Sequence, residues 1–154
     1  ECQNSVVGME WNGPYSLAEL EAYDSSKYYN YGMFESMGWF AMWAEIETAE
    51  PSQDMFYTIY SAETIAFVDE QTIVNDLVSG VASPSITLFT GENGELYQLC
   101  AVVMDYKGNY SELWRSEPFM YEYNAGTKRP LEELTSKLAE LSEPAPARQS
   151  VKLL

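Results

Sequence analysis

The sequence predicts an all-β sandwich with an inserted short helix and a C-terminal helix packed on it, and three observations carry the prediction. Stretches at residues 39–46, 55–60 and 96–104 are dense in aromatic and aliphatic residues, and the last alternates cleanly with period two. Clusters of Gly, Asn, Asp, Ser and Pro separate them. Aromatics make up 14% of the 154 residues, with 12 Tyr and 4 Trp, and flat rings pack well on a pleated surface.

Residues 1–35 read as an irregular, Tyr-rich N-terminal segment that could equally be the tail of a preceding module. Within it, Ser16-Leu17-Ala18-Glu19 has capping-box spacing and predicts a helix from Leu17 to about Ala22, ended by Asp24-Ser25-Ser26. Tyr28, Tyr29 and Tyr31 suit a short strand or an extended segment. The sandwich proper is placed at 36–124. Trp39 to Ile46 is a strand apolar on both faces, so both should be covered. After the Ala49-Glu50-Pro51-Ser52 loop, Asp54 to Ser61 is the next strand.

A helix interrupts the strands. Asp69 can cap it, Ile73, Val74, Leu77 and Val78 form its apolar stripe, and Gly80 stops it. Ser85 to Phe89 resumes the sheet, and Thr90 to Glu95 is a turn. Leu96 to Met104 alternates Tyr97, Leu99, Ala101 and Val103 with Gln98, Cys100, Val102 and Met104. Asp105 to Asn109 is a hairpin connection, with Gly108 at positive φ. Ser111 to Tyr123 returns as the partner strand, kinked at Pro118. Residues 125–154 form a helix and tail, the helix spanning Leu131 to Leu141 behind Pro130.

The composition excludes several kinds of function. Net charge is −16, from 24 acidic and 8 basic side chains, so nucleic acid and anionic membranes are poor partners. No stretch of about 18 apolar residues could span a bilayer. With no histidine, the commonest general base and metal ligand are missing. Glu1-Cys2-Gln3 lacks the regions of a signal peptide, so a mature form or a piece of a longer chain is expected.

The segment Leu88 to Ser116 resembles the end of a fibronectin type III-like domain. Leu88, Gly91, Gly94 and Tyr97 stand where that family has a Leu, a Gly-containing loop and a corner Tyr that bonds back across the loop. Leu99, Ala101 and Val103 match its inward residues, and Asp105 to Ser111 its last β-turn. The resemblance implies that Trp39–Ile46 is strand B, Met55–Tyr60 strand C, and Ser85 to Tyr123 strands E, F and G. The inserted helix and Arg129-Pro130-Leu131 are similar to features of such modules in surface lipoproteins of gut bacteria. The implied setting is extracellular or at the outer cell surface, with a protein or glycan partner. An Arg-Gly-Asp adhesion motif is absent.

No catalytic constellation emerges. Asp54, Glu63 and Glu92 read as a solvated face, Ser83, Ser85 and Ser111 have no motif-placed base, and Gly91-Glu92-Asn93-Gly94 is a turn rather than a phosphate loop. The Asp105–Glu112 turn is the nearest approach to a cation loop, but Lys107 sits inside it. Asn109-Tyr110-Ser111 has the form of a glycosylation sequon and is read as turn chemistry. Cys100 is expected to be a buried thiol beneath the leucine helix or the Tyr-rich segment. The expectation is therefore a non-enzymatic, monomeric binding or spacing module with no cofactor and no metal. A carbohydrate-binding module using Trp11, Tyr28, Tyr29 and Tyr31 is the alternative; a sugar-stacking platform would require those rings to be exposed and coplanar.

Overall fold

The computed structural model describes residues 1–121, 128–133 and 145–146. Its strands are β1 (Val6–Ser16), β2 (Trp39–Thr48), β3 (Asp54–Ser61), β4 (Ile86–Glu92), β5 (Tyr97–Met104), β6 (Trp114–Arg115) and β7 (Ala145–Pro146). Three α-helices, α1 (Leu17–Tyr23), α2 (Ala62–Ile65) and α3 (Glu70–Val78), and a 3-10 helix at Tyr31–Met37 complete the described elements. The strands make two sheets, β1-β2-β4 and β3-β5-β6, each antiparallel, with the two residues of β7 parallel to the edge of β4. The molecule is thus mostly β with a few short helices, an arrangement consistent with a β-sandwich.

Side-chain alternation on the strands explains the layering. Met42, Ala44 and Ile46 of β2 and Phe89 of β4 meet Tyr57 and Ile59 of β3 and Tyr97, Leu99, Ala101 and Val103 of β5 in the central core between the sheets. Burying a side chain such as Leu99 contributes roughly 2–3 kcal/mol. The outer faces are apolar too, as the sequence foretold for β2. Ala41 and Trp43 of β2 and Ile86 and Leu88 of β4 are covered by Leu17 and Leu20 of α1, Tyr28 and Leu131. On the other sheet, Phe56, Tyr60, Cys100 and Val102 are covered by Ile65 of α2 and Ile73 and Leu77 of α3.

Local chemistry fixes the helices. Ser16 and Glu19 complete the capping box of α1, the Ser16 hydroxyl accepting from Glu19 N and the Glu19 carboxylate from Ser16 N. The Asp69 carboxylate accepts from Thr72 N to cap α3. Tyr60 donates its hydroxyl to Asp76, tying α3 to β3 through a buried bond. Residues 128–133 lie against the β1-β2-β4 sheet: Tyr15 donates to the Arg129 carbonyl, and Lys128 and Arg129 pair with Glu19 and Glu10. These ion pairs are partly exposed and worth about 1 kcal/mol or less each.

Four expectations need correction. The N-terminal segment is not irregular, because Val6–Ser16 pairs along β2 as a full strand. Its register shifts between Val6 and Gly8 and again between Asn12 and Tyr15, and each shift swaps the face that points inward, which hides the alternation. Tyr28, Tyr29 and Tyr31 are in a turn and at the start of the 3-10 helix rather than extended. The carboxylates of Asp24 and Glu21 capture the backbone amides of Lys27 and of Asn30 and Gly32, folding the chain back on α1.

The last strand is also shorter than foreseen. Ladder pairing survives at Trp114–Arg115 and at bridges Met104–Tyr110 and Tyr97–Phe119. Between them the hydroxyls of Ser111 and Ser116 accept from Val103 N and Leu99 N, replacing backbone acceptors. Finally, α2 and α3, rather than the leucine helix or the Tyr-rich segment, cover Cys100, whose thiol burial pushes up to about 12. Of the expected C-terminal helix, Leu131–Glu133 form a helical turn, and the remainder to Leu141 lies outside the described residues, as do Glu122 and Tyr123 at the end of the expected last strand. No helix among the described residues is long and apolar enough to cross a membrane.

Candidate functional site

The strands deliver their loops to two ends of the molecule. At one end, the N-terminal residues, the β2–β3 loop and the β5–β6 hairpin converge. Asn4 is the junction: its Oδ1 accepts from Ser5 N and Glu50 N, each at 2.8 Å, and its Nδ2 donates to the Glu50 carbonyl. Asp105 does the same for the hairpin, accepting from Lys107 N and Asn109 N on Oδ1 and from Gln3 N on Oδ2, all at 2.9 Å. These amide donors, Asn109 N foremost, hold the Asp105 carboxyl down to about 2.

The same bonds shape the turn that begins at Asp105. The Asp105 oxygens are occupied by backbone amides, and Gly108 closes the turn at φ 86°. Ser111 of the sequon is likewise engaged with β5 through Val103 N. A recess of about 260 Å³ lies beside this junction, lined by Gln3, Asn4, Glu50, Pro51, Asp105 and Tyr106. No group of three or more Cys, Asp or Glu side chains placed to hold a metal occurs among the described residues. Glu63 and Glu92 are exposed and Asp54 half-buried.

The opposite end is built by the 3-10 helix, the β4–β5 turn and the start of α2. Asn93 N donates to the Gly38 carbonyl at 2.7 Å, and Ala62 N to the Leu96 carbonyl at 2.8 Å, so the three segments abut. Tyr97 spans this end from inside: its phenol oxygen accepts from Glu92 N at 2.9 Å, across the turn that joins β4 to β5. Gly91 lies beside it, where a Cβ would collide with the Tyr121 ring.

The four rings singled out by sequence are not brought together. Trp11 is half-buried against Phe119, edge to face at 4.3 Å. Tyr28 is 4% exposed in the layer over the β1-β2-β4 sheet, and burial pushes its phenol up to about 12. Tyr31 is half-buried and tilted 60° to the Tyr28 ring. Tyr29, at 71%, stands mostly in solvent. Sequence reasoning passed over the exposed apolar side chains of the 3-10 helix, Met33, Phe34 and Met37. In sequence they stand at i, i+1 and i+4, the spacing of an apolar helix face, which pattern alone assigns to packing rather than to solvent.

No family model, curated protein or solved structure matches the chain.

Proposed function

We propose that the chain is a fibronectin type III-like module of a cell-envelope protein, displayed outside the cell and serving binding or spacing rather than catalysis. The observation that carries this reading is the Tyr97 hydroxyl accepting from Glu92 N at the β4–β5 connection. A tyrosine corner at the E–F connection is a hallmark of immunoglobulin-like sandwiches. The strand order supports it as well: β1-β2-β4 facing β3-β5-β6 corresponds to an A-B-E sheet against a C-F-G sheet. Helices on both outer faces are additions to that plan.

The test is display. With an epitope tag placed at Val81, which is exposed between α3 and β4, antibody should label intact cells of the native host. Labelling that requires permeabilised cells would overturn the reading. Carbohydrate binding is not the favoured reading, because the rings that would stack on a sugar are not exposed together: Tyr28 is buried and Trp11 and Tyr31 are half-buried.

A further inference from the structure

We propose that the end formed by the 3-10 helix, the β4–β5 turn and the residues following α2 is a docking surface for a basic amphipathic helix of a partner protein. The proposal deepens the binding half of the function proposed above and rests on it. Its first support is apolar surface left in water. Met33 and Met37 are 63% and 65% exposed, Phe67 is 90% exposed, and Phe34 and Leu96 are exposed on the same segments. None of these side chains belongs to the three buried clusters. Unbranched, polarizable methionines and flat phenylalanines in contact with solvent are the side chains of adaptable binding surfaces.

The second support is charge. Glu35, Glu63, Glu70, Glu92 and Glu95 are exposed on the same segments. Residues 31–38, 62–70 and 92–96 contain no Lys or Arg. The backbone bonds from Asn93 to Gly38 and from Ala62 to Leu96 join these three segments, which places their exposed apolar and acidic groups at the same end of the molecule. Such a surface is complementary to an apolar helix face flanked by lysine or arginine. It disfavours other occupants. A second copy would set acidic rim against acidic rim, and an anionic bilayer or a nucleic acid would be repelled in the same way.

The test uses the whole chain and a fluorescent helix-forming peptide of leucine and lysine, about 18 residues long, with leucine on one face. A scrambled peptide of the same composition and an analogue carrying glutamate for lysine serve as controls. Binding by the amphipathic lysine peptide alone is expected, with backbone NMR shifts confined to residues 31–38, 62–70 and 92–96. About 0.5 M salt should weaken it markedly. The triple variant Met33→Ser, Phe34→Ser, Met37→Ser should weaken it by about ten-fold or more with an unchanged melting temperature, since exposed substitutions leave stability nearly untouched. Equal binding of the scrambled peptide, unchanged affinity in the triple variant, shifts centred on another surface, or capture by anionic vesicles would each overturn the proposal. Failure here with intact-cell labelling retained removes the docking surface and leaves the displayed module standing.

Discussion

The two ends of the molecule solve opposite problems. At the Asn4–Asp105 end, three loops are joined through side chains whose polar atoms are met by backbone partners. At the other end, backbone bonds join the segments, and the side chains that remain are methionine, phenylalanine and glutamate facing water. The first end spends its side chains on holding loops together, and the second leaves them in water. Removing a side chain from the first end should unravel contacts, whereas removing one from the second should change what the surface attracts.

The sharpest way to break that contrast is Asn4→Ala. It strips three hydrogen bonds and takes from the Glu50 amide the side-chain oxygen that meets it, so a loss of roughly 2–3 kcal/mol is expected from the urea midpoint. A neutral result would mean that Asn4 is not the junction. Next comes Gly91→Ala, which forces a methyl into the Tyr121 ring beneath the open end. Chemical denaturation should register a cost of about 2 kcal/mol, showing that this end is open only at its surface.

Acid offers a third, gentler comparison. Asp105 is depressed to about 2 in the folded chain, so the stability it contributes is complete above about pH 4 and is lost as the pH falls through about 2. Hydrogen-exchange protection, corrected for the intrinsic rate at each pH, should fall across that window at Gln3, Lys107 and Asn109 before it does at Gly38 or Asn93. In Asp105→Asn the early step should vanish. The smallest effect on stability belongs to the serine triple variant at Met33, Phe34 and Met37, within about 0.5 kcal/mol by urea denaturation.

How much of this was legible in the sequence depends on the range of the interaction that decides it. Strands β2, β3 and β5, the hairpin at Gly108 and the capped starts of α1 and α3 follow from local pattern, and all lie where alternation, turn residues or a capping side chain put them. Strand β1 was hidden by two register shifts and by buried Asn12, which breaks its apolar face. The fold of the Tyr28–Tyr31 stretch was hidden because Glu21 and Asp24, a turn or more away, dictate it. Exposure is the least local property of all. Phe34 and Phe56 are the same residue type, each following a methionine, yet one faces water and the other lies beneath α3. The candidate rings failed to converge for that reason.

Cys100 gives the molecule a built-in clock. Its sulfur is sealed between β5 and the helices α2 and α3, with no exposed surface, while Cys2 at the chain start is partly exposed. An alkylating reagent therefore reaches Cys100 only during the moments when that helical layer lifts from the sheet. Counting labelled sulfur against time reads the frequency of that lifting, and reports whether the layer breathes as its own unit or opens only when the whole sandwich comes apart.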